Sequence, residues 1–252
     1  MSERHLGRII PTAIVLVALV GSGCSSSSKT STSSSRVTED QAAELASVLY
    51  LDGQAAGAAL AVDVPFGVAR FRLKGEIDWA NHVGRATVHS TVTGTADVAD
   101  RDVVWNPDVV FEQVPGLQEK LAAQGRPGIS WVARRLDPRA STLHLILRLI
   151  DTTSSTTRDN PQLLMSKARY LGRGSVSQVA VDVFREGTIR YSIGRKDHRL
   201  HRMQAWLAGI RATATLTFSD FGSREIPTPD DPSIVALDQV SGLYQQLLGT
   251  QK

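Results

Sequence analysis

Residues 69–79 alternate without a break: Ala69, Phe71, Leu73, Gly75, Ile77 and Trp79 fall on one side, Arg70, Arg72, Lys74, Glu76 and Asp78 on the other. A period of two over that length fits a strand and excludes a helix, whose apolar stripe returns every three or four residues. One face therefore meets water and the other an apolar cover. That is the antiparallel pattern, because strands of parallel sheets are buried on both faces and read as continuous apolar runs. After the loop 80–84 a return strand is predicted, with Ala86, Val88, Ser90, Val92 and Ala96 opposing Arg85, Thr87, His89, Thr91 and Thr93. The alternation recurs in Val179, Val181 and Val183, in Ile189, Tyr191 and Ile193, and in Ala214, Leu216 and Phe218 between threonines. Met203, Ala205 and Leu207 repeat it more faintly, and 103–105, 109–111 and 129–134 are shorter strand candidates. Trp79, Trp105, Trp131 and Trp206 read as core or rim anchors.

Helices are expected between these strands. Thr38 and Gln41 have capping-box spacing ahead of Leu45, Val48 and Leu49. Asp137 before Pro138 and Asn160 before Pro161 each place a capping side chain ahead of a proline at the first helical position. Leu143, Ile146, Leu147 and Ile150 stripe the first of these helices and His144 faces away; Leu163, Leu164 and Leu171 stripe the second, which Gly172 would stop. A last helix is expected over 233–248. Apolar-striped helices are the available cover for a one-sided sheet, so the fold is predicted to be α+β: a curved antiparallel sheet, or half-barrel, with helices over its concave face. Helices laid in the hollow of a twisted, curved sheet fill it incompletely unless bulky side chains close the gap, so an apolar cavity is expected there.

The N-terminus reads as an address. A basic start (Arg4, Arg8), an apolar run over 9–20 and the small residues Gly21, Ser22 and Gly23 make 1–23 a secretory signal. The run falls short of the ~20 apolar residues that span a bilayer. Cys24 is the one cysteine in the sequence, so it forms no internal disulfide. Its position resembles the lipobox of bacterial lipoproteins, with Gly21 where Leu or Val is usual and Val20 one place earlier. That resemblance implies a diacylglycerol on Cys24, an acylated first residue of the mature chain, and anchoring to the extracytoplasmic face of the cell membrane. One acyl chain holds a protein only marginally and several hold it stably. Residues 24–36 are Ser- and Thr-rich and read as a flexible tether, and 37–252 as a single domain. Residues 25–36 reach at most about 40 Å when extended.

The serine tether, the long strands from Ala69 onward and the closing run 215–222, with Ser219-Asp220-Phe221 and then Ile226, Pro227 and Pro229, resemble the LolA-like lipoproteins and in particular the actinobacterial LppX/LprG group. The resemblance implies a half-barrel whose pocket binds acylated lipids or glycolipids and carries or presents them at the cell envelope. The expected lining is Phe71, Leu73, Ile77, Trp79, Val181, Tyr191, Leu216 and Phe218, with Leu143 and Leu147 from a covering helix. The same residues would equally make a closed core, leaving a non-enzymatic interaction module with no ligand.

A formal charge of +3 over 252 residues excludes the electrostatic footprint of a nucleic-acid binder. No nucleophile elbow, phosphate-binding loop or His-Glu-x-x-His motif occurs, so no enzymatic activity and no cofactor are expected. Gly172 and Gly174 lack the third member of a dinucleotide fingerprint and read as a helix end and a turn. Asp197, His198 and His201 stand among Arg195, Lys196, Arg199 and Arg202, which would repel a metal ion, so a solvated turn is the better reading. Asp97, Asp100 and Asp102 lack the glycine and terminal glutamate of a calcium loop.

Overall fold

The computed structural model describes residues 34–92 and 98–249. The signal, Cys24, most of the tether, Ala96 and Asp97 lie outside the described residues.

The described residues form thirteen strands and five α-helices. It begins with β1 (Ser35–Arg36) and α1 (Glu39–Gln54), then a meander of β2 (Gly57–Phe66), β3 (Ala69–Asp78), β4 (Val83–Val92), β5 (Val98–Trp105) and β6 (Val109–Gln113). There follow α2 (Leu117–Ala123), β7 (Trp131–Arg135), α3 (Thr142–Asp151) and α4 (Pro161–Lys167). A second meander holds β8 (Ala168–Val176), β9 (Val179–Glu186), β10 (Ile189–Gly194), β11 (Leu200–Leu207) and β12 (Ala212–Ser219), and the chain ends in β13 (Ile234–Ala236) and α5 (Ser241–Gly249). All thirteen strands make one open, curved sheet in the order β1-β8-β9-β10-β11-β12-β2-β3-β4-β5-β6-β7-β13. Each neighbouring pair is antiparallel except β7 with β13. The predicted α+β half-barrel is what forms, and β3 is its pivot, pairing along its whole length with β2 and β4.

Strict alternation sends Leu60, Val62, Leu73, Ile77, Leu216 and Phe218 to one face, where α1, α3 and α4 cover them in the main core. Burying each such side chain contributes roughly 1.5–3 kcal/mol. A second core under α2 and α5 gathers Val114, Leu117, Leu121, Val132, Val235, Val240 and Tyr244. The registers Trp105 with Val110, Glu112 with Val132, and Val132 with Val235 place the two cores on the same concave face. Between them sits Glu112, fully buried, held by Arg101 at 3.1 Å, by Arg134, and by the Tyr244 hydroxyl, which donates at 3.1 Å.

A small residue makes room for a cross-strand ring between β4 and β5. The Trp105 ring lies against Gly84, where a Cβ would come within 2.0 Å of Cζ2. Gly84→Ala is therefore expected to cost about 3 kcal/mol by overpacking. Urea denaturation checks this: the midpoint should fall while the slope stays unchanged.

The Thr38 capping box forms as read: its hydroxyl accepts from Gln41 N–H and its own N–H donates to Gln41 Oε1. Asn160 likewise caps α4 through Gln162 N–H. Other helix readings need correction. Asp137 caps only a turn, by accepting from Arg139 N–H, and α3 begins at Thr142 behind Ser141, whose hydroxyl accepts from His144 N–H. His144 lies on the buried side of α3, with Nδ1 accepting from Asp137 N–H; burial, then Arg134, pushes its pKa down. α4 ends at Lys167 and passes straight into β8, so Leu171 and Gly172 belong to a strand. Gly172 takes φ +108° where the register to β9 slips between Tyr170 and Gly172, a bulge that suits glycine. The helix expected over 233–248 is instead the 3-10 turn Asp231–Ser233, β13, the 3-10 turn Leu237–Gln239 and α5. Consecutive β-branched Ile234 and Val235 pair with the free edge of β7, and the helix waits until Ser241.

Candidate functional site

The ten residues expected to line a cavity are 0–9% exposed. Nine of them, all but Val181, belong to the main core together with side chains of α1, α3 and α4. Val181 is a correction. The register pairs Phe184 with Tyr191 and Val181 with Gly194, so Val181 falls on the side of β9 opposite Phe184 and belongs to neither core. The far end of the sheet is closed by an aromatic group. Trp79 packs with Phe218 at 5.7 Å and stacks on Phe221 at 6.3 Å, while its Nε1–H donates to Thr153 Oγ1 at 3.3 Å. His201 meets Phe221 edge-on and the Arg199 guanidinium lies 5.3 Å from the same ring. The Ser219-Asp220-Phe221 turn thus plugs the hollow, with Asp220 at φ +49°.

Space opens elsewhere. A cleft of about 630 Å³ lies at the rim where the start of α3 meets the β11–β12 hairpin. Its apolar wall is Pro138, Leu145, Trp206, Leu207 and Ile210, and Arg139, Ser141 and Thr142 edge it. Leu207 is part of the main core and Leu145 and Ile210 pack on it, so the floor of the cleft is continuous with that core. Trp206 is a rim residue, 47% exposed. A tryptophan on the outward side of a strand is the signal in the sequence that points here. A second depression of about 610 Å³ crosses the outer face over Asp63, Arg70, Arg72, Lys74, His89 and Asp100. Charged side chains edge it over a floor that includes Ala61, Val62 and Leu73, and Arg70 is already paired with Asp63 at 2.5 Å and His89 with Asp100 at 2.6 Å.

The acids and histidines do not converge on one point. His198 pairs with Glu44 at 2.8 Å and buried His201 with Asp197 at 2.8 Å, so the segment read as a solvated turn is tied into the fold. Among the described residues no three His, Cys, Asp or Glu gather as a metal site. Asp52, at the end of α1, is fully buried, and burial pushes its pKa up to about 8. Its Oδ1 accepts from Leu200 N–H at 3.3 Å and its Oδ2 has no hydrogen-bond partner.

No protein-family model matches the chain, and no curated protein matches it. Among solved structures it is similar to an uncharacterized conserved protein from Thermus thermophilus, at 10% identity over 73% of this chain and 92% of that one, with a TM-score of 0.36. It is also similar to the MucA/MucB complex of Pseudomonas aeruginosa, at 15% identity over 77% of this chain and 59% of that one, with a TM-score of 0.30. A domain described as outer membrane lipoprotein-sorting, from Vibrio parahaemolyticus, is similar at 11% identity over 70% of this chain and 88% of that one, with a TM-score of 0.24.

Proposed function

We propose that this chain is a non-enzymatic binding module of the LolA-like lipoprotein kind, tethered through acylated Cys24 at the extracytoplasmic face of the membrane, which takes the acyl part of a lipid or glycolipid in the rim cleft. The observation that carries this is the cleft of about 630 Å³ with an apolar wall and a polar edge. Its size falls within the general range of small-molecule sites. Burial of methylenes supplies the affinity, roughly 0.8 kcal/mol for each. The first turn of α3 forms one wall of the cleft.

Titration with a fluorescent fatty acid tests the cleft. Trp206→Arg puts a charge against the apolar wall and should weaken uptake at least tenfold, with the melting temperature unchanged because residue 206 is half exposed. Equal uptake by both proteins would contradict the assignment.

A second reading is favoured by the burial of all ten expected lining residues: an envelope module that binds a partner protein and no lipid. It predicts no uptake of fatty acid by the unsubstituted chain.

A further inference from the structure

Among the described residues five large apolar side chains are exposed: Val68, Val92, Leu163, Met165 and Trp206. The strand registers bring all five to one end of the sheet. Val68 lies in the turn joining β2 to β3, beyond the pair Phe66 with Ala69, and Val92 stands opposite Ala69. Trp206, opposite Thr213, sits beside the β11–β12 turn at the same end. Leu163 and Met165 are on α4, which runs directly into Ala168, opposite Glu186 at the end of β9.

Beside this rim runs a row of arginines. Arg36 pairs with Arg169, Arg169 with Arg185, and Arg185 with Arg190. They stand on the outer face, since Phe184 and Tyr191, the next pair along, point into the core. At the usual spacing between strands the four positions fall within about 15 Å. Like charges directly opposite each other destabilise a sheet. Yet Arg36, Arg185 and Arg190 have no acidic partner among the described residues, and Arg169 donates only to the carbonyls of Ser166 and Ala168.

We propose that this end of the sheet seats on an anionic phospholipid bilayer, with the apolar rim entering the boundary between headgroups and acyl chains and the arginine row bonding lipid phosphates. Trp206 suits that boundary, where one side of its ring is dry and the other wet. The bilayer is the occupant because the chain leading from Cys24 enters the fold at the row itself: Arg36 ends β1, directly after the segment read as a tether, and residues 25–34 reach at most about 35 Å, which confines the domain near the surface. The seat rests on the tether reading given above, and it turns the mouth of the rim cleft toward the lipid.

The test uses the full chain carrying Cys24→Ser, added to mixed phosphatidylglycerol and phosphatidylcholine vesicles whose acyl chains are brominated. Tryptophan quenching should appear and should vanish with Trp206→Phe. Arg185→Glu with Arg190→Glu should raise the vesicle concentration for half-maximal quenching about 30-fold, at roughly tenfold or less for each arginine near such a surface, and have no effect on pure phosphatidylcholine. Absence of Trp206 quenching in anionic vesicles, or indifference to the charge reversal, overturns the proposal. Monomeric brominated fatty acid without vesicles separates the two readings. If it fails to quench Trp206 while vesicles still do, the cleft reading falls and the seat is supported by itself.

Discussion

Asp52→Asn is expected to make the protein more stable above neutral pH, against the usual cost of altering a buried side chain. The Asp52 carboxyl is fully buried, and burial raises its pKa from 3.8 to about 8, opposed only in part by the Leu200 N–H and the Arg199 charge. Between those two values the folded chain holds a proton that the unfolded chain has released. Stability contributed by this group is therefore fully present below about pH 4, declines as the pH rises, and is lost by the time it passes about 8. The span sets an upper bound on the order of 5 kcal/mol, at ~1.4 kcal/mol per pKa unit. Asparagine keeps an oxygen for Leu200 N–H and places an uncharged NH₂ where Oδ2 has no partner. At pH 8.5 the variant should melt higher by roughly 5 to 15 °C, and the two proteins should converge near pH 4. Thermal melts across that range check it; a variant that melts lower at pH 8.5 would show that Asp52 is ionised at little cost in the fold.

Glu112→Ala is expected to destabilise at neutral pH by about 3–5 kcal/mol, because it leaves two largely buried guanidiniums without their counter-charge. Arg101 and Arg134 have side chains only 12% and 17% exposed, and both converge on Glu112, which is wholly buried. The substitution also removes the acceptor of the Tyr244 hydroxyl, whose pKa burial and Glu112 together push up to about 12. Tyr244 fastens α5 to the second core, so amide exchange over 241–249 should rise more than exchange in β2 or β3. Glu112→Gln, which keeps an acceptor but no charge, should fall between. A loss below about 1 kcal/mol for Glu112→Ala, the range of an exposed ion pair, would mean that the arginines reach solvent when the acid is removed.

How far the fold was legible follows from where polar and apolar residues contrast. In β3 charged side chains oppose large apolar ones, so the strand and its face could be read directly. β2 alternates just as strictly in space, yet Ala59 and Ala61 on its outer side are themselves apolar, and the contrast disappears. β8 escaped because its glycines looked like punctuation, whereas Gly172 marks a bulge within the strand. Val181 misled because the valines of β9 alternate on the outward side, while the inward side carries Asp182 and Phe184. The apolar residues of the hollow were legible as a set, since nine of ten share one core. How tightly they pack was not legible, because packing density depends on how closely helices approach the sheet. The rim cleft depends on the meeting of α3 with a hairpin more than sixty residues away, a contact with no trace in local periodicity.

Native mass spectrometry of the chain released from producing membranes measures most directly whether it is a lipid-binding module. The native spectrum should carry a noncovalent adduct of one acyl-bearing molecule that disappears from the denatured spectrum, where only acylation of Cys24 remains, and Ile210→Asp in the cleft should abolish it. A native mass equal to the denatured mass, for a folded protein that also takes up no added fatty acid, would contradict the account and leave the module with a filled core and a protein partner.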